Sequence, residues 1–258
     1  MNTIKELYQY RQMIVSLVRK DLRGRYKGSV LGFMWTFINP LLQLCIYTVV
    51  FSTIMRAGID KFYVFLFVAL VPWLFFSASL TNGSTVVLVN QDLVKKIYFP
   101  RIILPISYVT SCFVNMLLSF GVVFLVLLAT KYGINIKAVL YLPLVMLIEY
   151  MLALGIALMS SACTVYFRDL EHILGIVSMG WMYLTPIVYS PEMVPEKFRF
   201  YFNLNPMTPI ITAYRDILYY KQVPQMGTLL HATVLGVVVV VIGSILFNKL
   251  QKGFIEEL

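Results

Sequence analysis

Long stretches without a single Asp, Glu, Lys or Arg divide this 258-residue chain: 28–55, 62–91, 102–130, 150–167 (reaching back to 138 across Glu149), 173–191 and 222–248. A helix crossing the ~30 Å hydrocarbon layer of a bilayer needs about 20 such residues. The pattern therefore reads as an all-α polytopic membrane protein with six transmembrane helices. Composition agrees: 60% of the residues are apolar and 13% carry charge, with a mean hydropathy of +0.81. Soluble domains carry about 25% charged residues. Half of that leaves too little polar side chain to cover a soluble globule, which argues against a soluble enzyme or a nucleic-acid binder.

The net charge of +9, from 21 basic and 12 acidic residues, is the excess expected of basic cytoplasmic loops. Six spans put both termini on one side. With the termini cytoplasmic, the inner segments hold 13 of the 21 basic residues; the outer ones hold eight, four of them (Lys197, Arg199, Arg215, Lys221) in one long segment. The positive-inside rule thus places both termini in the cytoplasm of a multi-pass plasma (inner) membrane protein. The first apolar stretch follows a basic segment of 27 residues, is too long for a signal-peptide core and has no small-residue cleavage site near its end, so it is expected to be retained. Cys45, Cys112 and Cys163 are isolated within apolar runs, with no metal-ligand or disulfide spacing, and read as small core residues.

The segments between the spans divide the chain into an interface helix, 1–27, and a six-span domain, 28–258. Residues 4–27 carry an apolar stripe at Ile4, Leu7, Tyr8, Val15, Val18, Leu22 and Tyr26, which reads as an amphipathic helix on the inner surface. Its basic face includes Arg19, Lys20, Arg23 and Arg25, suited to anionic headgroups at about 1 kcal/mol per basic residue. Anchoring, gating and lipid-substrate entry are all compatible with it. Residues 90–101 form a short charged helix closed by Pro100. The turn Tyr166–His172 carries Arg168 and Asp169, read either as capping charges or as a contact.

Residues 186–224 hold six of the eleven prolines among aromatic residues. Such backbone does not cross lipid as a regular helix; it is tolerated as short re-entrant helices packed on protein or lining a cavity. Small residues recur at Ala153, Ala157 and Ser161 and at Gly236 and Gly243, a spacing that lets helices pack closely. Glu149, a carboxylate inside an apolar span, is either a functional group or a residue paired with headgroups or a basic neighbour. His172 and His231 stand apart, no nucleophile has an adjacent base, and no G-x-x-x-x-G-K-[ST] phosphate loop is present. Uphill transport would then need a second chain to supply the energy. At this level a secondary transporter, a channel and an exporter subunit all remain open.

The string Arg23-Gly24-Arg25-Tyr26-Lys27-Gly28-Ser29-Val30-Leu31-Gly32-Phe33-Met34-Trp35, continuing to Asn39-Pro40-Leu41, resembles the start of the membrane subunit of bacterial ATP-binding-cassette exporters of cell-surface polysaccharide. That group includes the O-antigen, teichoic-acid, capsule and rhamnan permeases. Three further blocks match in order: Lys96-Ile97-Tyr98-Phe99-Pro100-Arg101, Phe167-Arg168-Asp169-Leu170, and Thr185-Pro186-Ile187-Val188-Tyr189 with Asn205-Pro206-Met207-Thr208-Pro209. The resemblance covers nearly the whole chain.

It implies a homodimeric permease for a lipid-linked polysaccharide, driven by two copies of a separate cytoplasmic ABC ATPase that holds the ATP and Mg; no cofactor is expected in this chain. It makes residues 4–27 an interface helix and places a coupling helix at about 88–100, with Lys95, Lys96, Tyr98 and Phe99 as ATPase contacts and Arg168 and Asp169 as a second one. It also implies outer gate helices over about 190–221, involving Pro191, Pro195, Phe198, Phe202, Pro206 and Pro209. Tyr47, Tyr108 and Tyr183 are expected channel-lining residues, a tyrosine ring offering an apolar face and a hydroxyl. Alternatives are an ABC permease for a drug, lipid or ion, and an enzyme acting on polyprenyl-linked glycan, which the scattered histidines and lone Glu149 disfavour.

Overall fold

The computed structural model describes residues 3–25, 27–54 and 58–258, with Thr3 and Ile4 described by their backbone alone. Every regular element among them is helical: α1 (Thr3–Gln9), α2 (Arg11–Gly24), α3 (Trp35–Thr48), α4 (Phe62–Ser84), α5 (Val86–Val89), α6 (Gln91–Lys96), α7 (Ile103–Ala129), α8 (Ile136–Val139), α9 (Leu142–Tyr166), α10 (Leu170–Leu184), α11 (Glu196–Leu204), α12 (Met207–Leu218), α13 (Met226–Leu250) and α14 (Phe254–Glu257). A π-helical stretch, Val49–Ile54, prolongs α3.

Among the described residues, five runs are long and apolar enough to cross a membrane: Gly32–Ile54, Phe62–Ser84, Ile103–Ala129, Ile136–Tyr166 and Met226–Glu257. They coincide with the first four expected spans and the last. The remaining stretch, 173–191, differs. Its helix, α10, has 15 residues and is about 22 Å long at 1.5 Å per residue, short of the hydrocarbon layer. Pro186 accounts for the stop, because a residue before proline is pushed to extended backbone; Thr185 has φ −105° and ψ 135°.

The N-terminal segment also departs from expectation. It is two helices broken at Tyr10, and α2 ends at Gly24; Tyr26 lies outside the described residues. The stripe that meets the protein is Leu7, Tyr10, Met13, Ile14 and Leu17, whereas Tyr8 and Val15 face outward. Apolar residues occur on two sides of this segment, and periodicity alone does not say which side the protein covers.

The spans assemble around α4, which contacts α3, α7, α9, α10 and α12. Almost its whole length is buried, Pro72 included. Helices α9 and α13 touch backbone to backbone: a Cβ on Gly155 would stand 2.6 Å from main-chain atoms of Val239 and Val240, and Gly243 lies against the Gly155 carbonyl. Ala153, Ala157 and Ser161 are buried, as their spacing led us to expect. Cys112 is buried, but Cys45 is exposed and Cys163 only half-buried.

Side-chain clasps define two ends. At one, Arg101 Nη1 donates to the Gln251 carbonyl, Tyr166 Oη to the Leu250 carbonyl at 2.7 Å, and Lys20 Nζ to Asn90 Oδ1 at 3.5 Å. This terminal end gathers α1, α2, α5, α6 and α14. At the far end, Tyr132 Oη donates to the Tyr219 carbonyl (3.0 Å), Tyr219 Oη to the Asp60 carbonyl (2.7 Å) and Lys221 Nζ to the Tyr132 carbonyl (2.6 Å).

Candidate functional site

At the terminal end α6 projects as a short lever. Asp92 in its first turn and Lys95 and Lys96 in its last suit the helix dipole, and Pro100 follows four residues beyond its end. Val94 and Phe99 turn inward into a cluster with Val87, Ile103, Leu104, Leu158, Phe247 and Phe254. The tip faces out: Lys95, Lys96 and Ile97 are exposed, and Tyr98 is 93% exposed. Phe99, expected as a contact residue, is 5% exposed and sits at the root of α6. The chain leaves α6 extended at Ile97 and bends at Phe99, which turns that ring inward while Ile97 and Tyr98 stay exposed. Asp92 and Lys96 form an exposed ion pair at 3.5 Å. Beside the lever lies a cleft of about 900 Å³ between Tyr10, Tyr98, Arg101 and Lys252.

Arg168 and Asp169 are both exposed in the α9–α10 turn. Asp169 stands at the start of α10, where its charge suits the helix dipole, and its side chain makes no capping hydrogen bond. Arg19, Lys20 and Arg23 are exposed on α2 as expected. Arg25 is not on that basic face. Its Nε donates to Asp21 Oδ2 at 3.0 Å, and its Nη2 donates to Ser111 Oγ at 3.0 Å and Cys112 Sγ at 3.1 Å, tying α2 to α7. Burial works against the charge on Arg25, but Cys112 and Asp21 beside it favour the protonated guanidinium and leave its pKa raised.

On another side α3, α4 and α10 enclose a file of polar groups. Two adjoining hollows of about 270 and 470 Å³ share Thr81 and Gly175. They are lined by Gln43 and Tyr47 from α3, Ser77, Thr81 and Asn82 from α4, and Glu171, His172 and Ser178 from α10. Ser77 Oγ and Ser178 Oγ lie 2.7 Å apart. Hydroxyl, amide and imidazole groups along apolar helices can exchange hydrogen bonds with a hydrated, polyhydroxylated chain. Of the three expected tyrosines, Tyr47 lines this file and Tyr183 is exposed on α10 beyond it. Tyr108 lies elsewhere, under α2, with Arg25 5.7 Å from its ring centroid; the trio is not brought together. Ser77, Ser178, Thr81, Asn82 and Gln43 were missed because single polar residues in apolar helices carry no pattern.

Beyond α10 the proline-rich segment forms a 3-10 turn, Pro191–Met193, then α11 and α12. Pro195 and Pro206 stand just before helices, and Pro209 lies in the first turn of α12, where no intrahelical N–H is lost. Phe198 is exposed, and Phe202 is half-buried, edge-on to Tyr189. Asn205 joins the pieces: its Oδ1 accepts from Trp181 Nε1 (2.9 Å) and Met207 N (3.0 Å), and its Nδ2 donates to the Leu184 carbonyl (3.1 Å) and Thr185 Oγ1 (2.9 Å). From α12, Tyr214 Oη donates to Glu149 Oε2 at 2.6 Å. Glu149 is fully buried and meets a phenol instead of headgroups or a basic neighbour. Arg215, 2% exposed, donates to the Ile187 and Tyr189 carbonyls and stacks 3.5 Å over the Phe65 ring.

Residues 12–219 match the family model described as "ABC-2 type transporter". An O-antigen export system permease protein, RfbA, from Myxococcus xanthus is 34% identical over 99% of this chain and 98% of its own length. Its counterpart from Klebsiella pneumoniae is 33% identical over 95% of both chains. The polysialic acid transport protein KpsM of Escherichia coli is 22% identical over the same shares. With its helical membrane-spanning body, projecting α6 and family match over most of its length, the chain belongs to the ABC-2 type transporter family.

Proposed function

We propose that this chain is the permease of an ATP-driven exporter that moves lipid-linked cell-surface polysaccharide, of the O-antigen or teichoic-acid class, outward across the bacterial plasma membrane. The observation that carries the reading is α6: an exposed tip on a buried root, in a chain related over its full length to O-antigen export permeases. The terminal end faces the cytoplasm, in keeping with its basic residues. There it meets two copies of a cytoplasmic ABC ATPase, which hold the ATP and Mg; this chain has no nucleotide site of its own.

Force applied at Tyr98 passes through Phe99 and Val94 into the cluster shared by α7, α9, α13 and α14. A second copy of the chain closes the polar file into a channel, with α10 and the turn beyond it completing a sixth crossing. Helices α11 and α12 cap the far mouth. The polymer's hydroxyl groups slide along exchangeable partners, and the aromatic rings present apolar faces to the sugars.

The test is export by the complete system, with co-purification of the ATPase, after Tyr98→Ala and Lys95→Ala with Lys96→Ala. Loss of both export and capture, with the permease still folded, is the expected result. An intact complex with undiminished export would sink the assignment of α6.

A further inference from the structure

Between α2 and the neighbouring ends of α4, α5 and α7 lies a pocket of about 400 Å³, separate from the α6 cleft and adjoining the polar file at Asn82. Its walls are apolar at Leu17, Val86, Val89 and Leu104, and one rim carries Lys20, Asp21 and Arg25. The pocket sits where α4 ends and α7 begins, which is the level of the bilayer headgroups for helices that span it.

The cations on this rim are not used up by the protein. Lys20 Nζ has one long bond, 3.5 Å to Asn90 Oδ1, leaving ammonium donors available. Arg25 commits Nε and Nη2 to Asp21, Ser111 and Cys112, and among the described residues nothing takes its Nη1. With Asp21 counted, the rim keeps one net positive charge. Asp21 and Ser111 hold the guanidinium in place, so it meets an anion without having to be ordered first. Val89, 77% exposed, leaves the apolar wall uncovered by protein.

We propose that this pocket binds the anionic phosphate headgroup of a membrane lipid, its phosphate between Lys20 and Arg25 and its chain along Leu17, Val86, Val89 and Leu104. Two kinds of lipid carry that chemistry, an anionic phospholipid and a polyprenyl phosphate. Asn82, which also lines the polar file, puts the headgroup beside the file's terminal mouth. The site does not depend on the transport reading, because occupancy is measured without any transport step.

The experiment uses the full-length chain, purified and delipidated, then titrated in native mass spectrometry with phosphatidylglycerol, phosphatidylcholine, polyprenyl phosphate and polyprenol. Phosphatidylglycerol held about fivefold more tightly than phosphatidylcholine, the effect of one basic residue at the surface, with Lys20→Glu removing the difference, supports a phospholipid site. Polyprenyl phosphate held in the same excess over polyprenol, and again lost in Lys20→Glu, supports a site for the carrier. Val89→Trp, on an exposed position that does not endanger folding, should block whichever lipid binds. Equal retention of charged and uncharged lipids by the wild-type chain, or a Lys20→Glu variant that binds as wild type does, overturns the proposal.

Discussion

Helices α11 and α12 follow one another across a single hinge, Asn205-Pro206, yet they are held in opposite ways. No residue of α11 is buried. In α12 every residue except Thr212 is buried, an arginine and an aspartate among them. The difference lies in partners: α12 packs against α4, α8, α9 and α13, while α11 presents Phe198, Phe200, Tyr201 and Leu204 outward. One proline-rich segment thus combines a fixed half and a half free to meet something else. That pairing suits the gate proposed above, which needs a seat that stays and a leaf that moves.

The comparison breaks most readily at Arg215. Arg215→Ala strips two buried carbonyls of a charged donor and empties the face of Phe65; a loss of about 4 kcal/mol is expected. Thermal unfolding in detergent would read it, and an unchanged midpoint would mean that α12 is not anchored there. Next comes Asn205→Ala, which removes four hydrogen bonds at the hinge. A loss of about 2 kcal/mol is expected, together with faster proteolysis within α11.

At Glu149 two substitutions separate charge from bonding. Tyr214→Phe leaves the buried carboxyl without a partner, at a cost of about 2 kcal/mol. Glu149→Gln keeps an acceptor for the Tyr214 hydroxyl and should cost under about 1 kcal/mol. The reverse order would make the charge itself the functional element. The smallest effect belongs to α11: Phe200→Ala with Tyr201→Ala should shift stability by less than about 0.5 kcal/mol and still reduce polymer export. Normal export would sharpen the comparison against us, leaving α11 without a role in the gate.

Much of this architecture is legible in the residues. Charge-free runs locate the five long helices, and Pro100 and Pro186 mark real stops. What the sequence does not disclose is what covers an apolar face, because lipid and protein ask for the same residues. Helices α4 and α13 are both strongly apolar, yet most of the first is buried in the bundle and the second turns Leu230, Val234, Val237, Val241 and Ile245 outward. For the same reason the apolar stripe of the N-terminal segment did not disclose that Tyr10, Met13, Ile14 and Leu17 pack on the protein. Neighbouring residues posed a second problem: Tyr98 and Phe99 look alike as aromatic contacts, and only the backbone between them sends one out and the other in. Arg25 illustrates a third, since a basic residue in a basic segment gives no sign that Asp21 and Ser111 will hold it.

The clasp of Arg101 on Gln251, with Phe254 and Leu258 packed into the root of α6, has a practical corollary for anyone handling this protein. A purification handle fused after Leu258 hangs from the very residues that steady the lever. With α6 in the coupling role proposed above, the handle would pull on Tyr98 from behind, and energy use measured on such a fusion would report the handle as well as the transporter.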